Sequence, residues 1–126
     1  MSIEQLRQLQ ADSSELESAG FVIVDVRSRA EQNVSMIPGA FTRGAFEQEI
    51  DKHRQQTAVA YCTAGGRSYL YARKLAQSGI RAFNLSDGIV GWCQAGLPLC
   101  TSDGASTRRV HLNDAPFEIP HDYQVV

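Results

Sequence analysis

The run Phe21-Val22-Ile23-Val24-Asp25-Val26 constrains this chain most. It is almost continuously apolar and rich in β-branched residues, with no alternation that would leave one face to water. Such a run reads as a strand covered on both faces, and two-sided burial belongs to parallel sheets with helices above and below. Parallel neighbours need crossovers, so helical segments should separate the strands. The chain has them. Ser2 and Gln5 form a capping box, and Ile3, Leu6 and Leu9 follow at helical spacing, before the polar stretch from Ala11 to Gly20 turns the chain. Arg43 to His53 carries Phe46 and Ile50 at i, i+4, which predicts a second helix. Thr57 to Tyr61 is another buried strand. Gly66 to Ser78 then places Tyr71, Ala72, Leu75 and Ala76 on one helical face and Arg73, Lys74 and Gln77 on the other, with Gly79 as a C-terminal stop. Ile80 to Leu85 reads as a third strand, and Asp87-Gly88 opens a short helix through Trp92 that Gly96 and Pro98 end.

Strands alternating with helices at this spacing predict one α/β domain with an open, mainly parallel five-stranded sheet, helices on both faces and right-handed crossovers. The expected domain spans residues 1–100. Residues 101–126 are a C-terminal extension of different character, with Pro116, Pro120 and short alternations. An extended arm, a pair of small strands and a partly ordered segment all fit it.

In such sheets the site lies beyond the carboxyl ends of the strands. Two features occupy such ends. The first is Asp25, followed by Arg27 and Glu31. As a structural group, Asp25 ties down loop N–H groups and Arg27 pairs with Glu31, because an unpaired charge there would be costly. The second is Tyr61-Cys62-Thr63-Ala64-Gly65-Gly66-Arg67-Ser68, a strand end, a glycine-bearing turn and a helix start. Main-chain N–H groups are free at such a turn, and the helix dipole is positive there. An ordinary thiol with a pKa near 8.5 is only about 3% thiolate at pH 7, so donors of this kind change its chemistry. Loop N–H groups through Gly65 and Gly66, the helix N-terminus and Arg67 make Cys62 a nucleophile whose adduct carries negative charge. The competing reading of Cys62 is a small buried apolar residue at a strand end.

Composition narrows the function. The net charge is −2, which leaves no electrostatic footprint for nucleic acid or an acidic membrane. Nothing near the start resembles a signal peptide, and no apolar run approaches the roughly 20 residues that span a bilayer. Cys62, Cys93 and Cys100 are odd in number and lack paired spacing, which argues against a disulfide framework and a zinc site. His53, His111 and His121 are far apart in sequence. No Gly-x-x-x-x-Gly-Lys-Ser/Thr loop occurs. The expected protein is cytoplasmic, needs neither metal nor cofactor, and is a monomer or homodimer. Cys93 and Cys100 are either relay thiols or bystanders. Leu70 projects with the polar face of its helix; either it is exposed, or Phe117 or Ile119 of the extension covers it.

In order, Asp25-Val26-Arg27, Glu31, Ile37-Pro38-Gly39-Ala40, Cys62 to Ser68, Leu75, Gly79, Gly88, Trp92, Gly96 and Pro98 resemble the rhodanese (sulfurtransferase) family over roughly residues 1–100. The resemblance implies a rhodanese-like fold and a Cys62 that holds sulfane sulfur as a persulfide. It implies that the N–H groups of Thr63 to Ser68 hold this adduct, that Arg67 orders the loop, that Asp25, Arg27 and Glu31 are framework, and that Trp92 packs in the core beside the site. Its partners would be a sulfane-sulfur donor, thiosulfate or a persulfide, and a thiol, protein thiol or cyanide acceptor. Two alternatives are a non-catalytic interaction module on this fold and a cysteine phosphatase. Family members of the first kind usually lack the cysteine, and phosphatases carry a longer loop before the arginine. Gln32 and Ser35-Met36 depart from the family pattern. Thr63 does too, standing where thiosulfate-using members often carry a cation, so a persulfide donor is expected over the thiosulfate dianion.

Overall fold

A computed structural model describes residues 1–13 and 20–126. Most of the stretch from Ala11 to Gly20 therefore lies outside the described residues, although helix α1 (Ile3–Ser13) runs further than the sequence predicts. Its capping box is present: Ser2 N donates to Gln5 Oε1 at 2.8 Å, and Gln5 N donates to Ser2 Oγ at 3.0 Å.

The two buried runs become the middle of the sheet. Strand β1 (Phe21–Asp25) lies between β2 (Phe41–Thr42) and β3 (Thr57–Tyr61), with β4 (Ala82–Asn84) outside β3, and all three pairings are parallel. The β1–β3 register sets Val22 beside Ala58 and Asp25 beside Tyr61, so both strands end at one edge. Alternation sorts their side chains onto two faces. Val22, Val24, Ala58 and Ala60 pack with Phe46 of α3 (Arg43–Gln48) and with Tyr71, Ala72 and Leu75 of α5 (Gly66–Gln77). Ile23, Val59 and Tyr61 pack with Leu6 of α1, with Ile89, Trp92 and Cys93 of α6 (Gly88–Gln94), and with Val110, Leu112 and Tyr123 of the extension.

Helices α5 and α6 end alike. Gly79 and Gly96 take φ of +87° and +74°. Ile80 N donates to Leu75 O and Leu97 N to Trp92 O, while the glycine N–H groups reach Ala76 O and Cys93 O. That is the glycine-terminated stop the sequence predicts at Gly79, made twice.

Four details differ from expectation. The parallel sheet among the described residues has four strands, not five. After α6 the chain does not return to the sheet: β5 (Leu99–Cys100) pairs antiparallel with β6 (Ser106–Thr107), and Cys100 bridges to Met36. The third strand shrinks to β4 because Ile80 is consumed by the helix stop. The helix from Arg43 to His53 divides at Glu49, whose φ of −119° and ψ of 29° are not helical, into α3 and α4 (Ile50–His53). Ala76 is exposed rather than packed. In the extension, β7 (Arg109–Val110) and β8 (Gln124–Val125) pair in parallel, and Val110, Leu112 and Tyr123 close the second core cluster. No helix among the described residues is long and apolar enough to cross a membrane.

Candidate active site

The carboxyl edge of β1 and β3 gathers the polar residues singled out in the sequence. Asp25 is fully buried and is the acceptor the sequence predicts: Arg27 N donates to its Oδ1 at 2.9 Å. The expected Arg27–Glu31 pair does not form. Arg27 instead turns back on Asp25, with Nη2 to Oδ2 at 2.8 Å, and gives a second bond to Ser35 O at 2.6 Å. Both partners are out of water, where an ion pair needs this close geometry to offset desolvation. Tyr61 closes the group: its hydroxyl donates to Asp25 Oδ2 at 2.5 Å and accepts from Ile37 N at 3.1 Å. Gln32 ties in the same turn through Asp25 O and Arg27 O, both at 3.1 Å.

Glu31 faces the cysteine loop instead. It is the third residue of α2 (Arg29–Val34), where it completes a capping box with Ser28. The same carboxylate takes Arg67 Nη1 at 2.8 Å and Nη2 at 3.0 Å, and Thr63 Oγ1 at 2.8 Å. Arg67 Nη2 also reaches Thr63 Oγ1 at 2.9 Å. Burial works against the Glu31 carboxylate, but bonds from Arg67, Thr63 and Ser28 outweigh it and hold its pKa at about 2. The fork-to-fork pair spends Arg67 on ordering the loop.

The loop curls over its own sulfur. Gly65 has φ +103°, and a Cβ there would fall 2.2 Å from Ser86 O, so only glycine fits. Gly66 has open space and simply begins α5. Gly65 N lies 3.2 Å from Cys62 Sγ and Ser68 Oγ lies 3.3 Å from it. Burial raises the Cys62 pKa, yet hydrogen bonds from Ser68, Gly65 and Ala64 more than cancel this and leave it below the ordinary value. Ser68 Oγ also sits 2.6 Å from Asn84 Oδ1, and Asn84 Nδ2 donates to Gly65 O at 3.1 Å. With one hydroxyl proton, Ser68 serves either Asn84 or the sulfur; a thiolate draws it to the sulfur. Helix α6 holds the loop from behind, with Ile89 N on Cys62 O at 3.0 Å and Val90 N on Thr63 O at 3.1 Å. Gly88, at φ +58°, lets it approach, since a Cβ would lie 2.4 Å from Thr63 O.

Above the sulfur is a cavity of about 230 Å³, floored by Cys62, Thr63, Ala64, Gly66 and Arg67. Its far wall is Leu112, Asn113, Ala115 and Phe117. That wall is a hairpin-type turn, with Asn113 and Asp114 at φ of 54° and 57° and Ala115 N bonded to Leu112 O at 3.0 Å. The arrangement is a thiol whose pKa lies below the ordinary value, facing a small space whose one cation among the described residues, Arg67, is already paired. Among the described residues no cluster suits a metal ion.

A rhodanese-like domain model matches residues 2–95. The chain belongs to the rhodanese-like domain family. It is 36% identical over 107 residues to a sulfurtransferase of Allochromatium vinosum, covering 80% of this chain and 94% of that protein. Among solved structures, the BH2092 protein of Bacillus halodurans superposes with a TM-score of 0.65 at 23% identity, over 82% of this chain and 77% of that one. A thiosulfate sulfurtransferase of Pseudomonas aeruginosa does so at 0.64 and 23%, over 82% of this chain and 21% of that one. At these identities the two structures speak for the fold alone.

Within that frame, Cys62 to Ser68 and Glu31 meet at one place. Asp25 and Arg27 brace the neighbouring turn. Trp92 is buried in the core with Nε1 on Pro98 O at 2.7 Å, and it does not line the cavity. Cys93 is buried and free, and burial pushes its thiol up to about 12. The bonds of Tyr61 to Asp25 and of Asn84 to Ser68 lie outside what the sequence predicts. Tyr61 and Asn84 are each a polar group at a strand end, the one available signal. Leu70 is exposed, and Phe117 walls the Cys62 cavity instead of covering it.

Proposed function

We propose that the protein is a sulfurtransferase that carries sulfane sulfur as a persulfide on Cys62 and takes it from organic persulfides in preference to thiosulfate. Family membership and the sulfurtransferase relative support sulfur transfer in general. The observation that carries the finer reading is the cavity itself: hydrogen-bond donors converge on Cys62 Sγ, and Arg67, the one charged residue in its lining among the described residues, is neutralised by Glu31. In the step proposed, the Cys62 thiolate attacks the outer sulfur of R–S–S–H. A sulfur–sulfur bond forms on Cys62, the donor's own bond breaks, and the electron pair leaves on R–S⁻. The acceptor, a thiolate or cyanide, repeats the attack on the Cys62 persulfide and returns Cys62 to thiolate.

Thiosulfate reacts in the same sense, with sulfite leaving, but its dianion must enter beside a thiolate without a free cation. Losing one charge-assisted bond costs about 1.5–3 kcal/mol, or roughly tenfold or more in kcat/KM. Phosphate monoesters meet the same obstacle, which argues against the phosphatase reading. Intact-mass analysis after exposure to glutathione persulfide should show a one-sulfur gain on the wild type and none on Cys62→Ser. Steady-state assays should give glutathione persulfide about tenfold the kcat/KM of thiosulfate. Thiosulfate as the better donor would overturn the donor assignment, and an unloaded wild type would overturn the persulfide.

A further inference from the structure

Helix α5 continues from the cysteine loop and presents two side chains that are exposed among the described residues. Tyr69 is 55% exposed and Leu70 66%. Beside them stand Arg73 and Lys74. The helix contains no carboxylate, and among the described residues neither cation has an ion-pair partner. Arg43 and Arg67, by contrast, are paired with Glu47 and Glu31. The chain as a whole carries −2, so two uncompensated positive charges around exposed apolar residues are a local reversal of its charge. A groove of about 330 Å³ runs along this side, with Arg67, Leu70, Tyr71 and Lys74 in its lining. Arg67 also lines the Cys62 cavity. The groove and the cavity therefore meet at one side chain.

We propose that this face of α5 docks an acidic, partly apolar segment of a thiol-bearing protein and brings its cysteine to Cys62. The inference rests on the persulfide reading above and adds the class of partner. Tyrosine, leucine and cations in one patch suit a protein surface: apolar contact at Leu70 and Tyr69 supplies affinity, and Arg73 and Lys74 steer an acidic partner into register. Two free cations are too few to grip a nucleic-acid backbone. Once docked, the partner's thiolate attacks the outer sulfur of the Cys62 persulfide. The new sulfur–sulfur bond forms on the partner, the bond to Cys62 breaks, and the electron pair stays on Cys62 as thiolate; nothing is oxidised or reduced overall.

The test uses Cys62 loaded with glutathione persulfide and two synthetic peptides sharing a central Leu-Cys pair, one flanked by Asp and Glu, the other by Lys. Single-turnover transfer at low salt should favour the acidic peptide by about tenfold, a preference that shrinks when salt is raised to about 0.5 M. The double variant Arg73→Glu/Lys74→Glu should lose or invert the preference while its transfer to glutathione is unchanged. Leu70→Ala should raise the acidic peptide's half-saturation concentration about fivefold. Equal rates for the two peptides, or an unaltered preference in the double variant, would overturn the proposal. So would competition by bulk tRNA against the acidic peptide, which would assign the face to RNA. A wild type that never loads sulfur is detected beforehand, by mass, and counts against the persulfide alone. Fluorescence anisotropy of the acidic peptide with its cysteine changed to serine then decides the docking surface by itself.

Discussion

Cys62 and Cys93 are two buried thiols of one small domain, 2% and 0% exposed, and their acidities move in opposite directions. Burial raises both. At Cys93, in the last turn of α6, no hydrogen bond among the described residues opposes it and the pKa climbs to about 12, against minor help from Arg27 and Arg108. At Cys62 the amides of Ala64 and Gly65 and the amide and hydroxyl of Ser68 reverse it. The difference is one of backbone: N–H groups inside a helix are spent on carbonyls four residues back, whereas those of a loop entering a helix are free. Low dielectric then makes each free donor count for more. Burial by itself raises a thiol's pKa; burial among unspent donors lowers it.

The largest effect that can break this contrast is alkylation. At pH 7 a thiol with pKa near 12 is about one part in 10⁵ thiolate, and Cys93 is also shut away from reagent. Iodoacetamide on the native protein, followed by peptide mapping, should label Cys62 at least about 10³-fold faster than Cys93. Comparable labelling under conditions where the fold persists would end the comparison.

Next in size is the loss of one donor. Ser68→Ala removes the hydroxyl from Cys62 Sγ and should move the midpoint of the pH–rate profile for sulfur loading up by roughly one unit, since a charge-assisted bond is worth about 1.5–3 kcal/mol and part is recovered by water. The sign is fixed. The donor favours thiolate, so its removal slows loading by up to about tenfold well below the midpoint and leaves the rate little changed well above it. A uniform loss at every pH would mean that Ser68 shapes the loop and does not tune the sulfur.

How much of this was legible beforehand follows the range of the interactions. The strands Phe21–Asp25 and Thr57–Tyr61, the helix from Gly66 and its stop at Gly79 are written in local pattern, and the structure reproduces them within a residue. The cysteine loop was legible for the same reason: its donors lie within six residues of Cys62. Partners across the sheet were not. Arg27 pairs with Asp25, two residues back, and not with Glu31 as the sequence predicts, because Glu31 is claimed by Arg67, 36 residues away. Tyr61 on Asp25 and Asn84 on Ser68 are long-range in the same way. Only three of the five expected strands have a local pattern in the sequence; β2, two residues long, carries none, and the sheet stops at four because Leu99–Cys100 pairs with the extension.

The smallest effect concerns the extension, which treats the two cysteines differently. Leu112 and Tyr123 share the apolar cluster that encloses Cys93, while Phe117 stands in the wall of the Cys62 cavity. Removing the whole segment cannot separate these roles, because losing Tyr123 from the core would cost about 3–5 kcal/mol and loosen everything at once. Phe117 is half exposed and can be changed alone. Phe117→Ala should widen access to Cys62 without uncovering Cys93. Labelling of Cys62 by a bulky maleimide should quicken about threefold, with a smaller gain for iodoacetamide, and KM for glutathione persulfide should shift by no more than about that factor, as expected for one half-buried aromatic contact worth under about 1 kcal/mol. Cys93 should stay unlabelled. If Cys93 becomes reactive in this variant, the wall and the core cover are one structure, and the isolation of the second thiol depends on the mouth of the first.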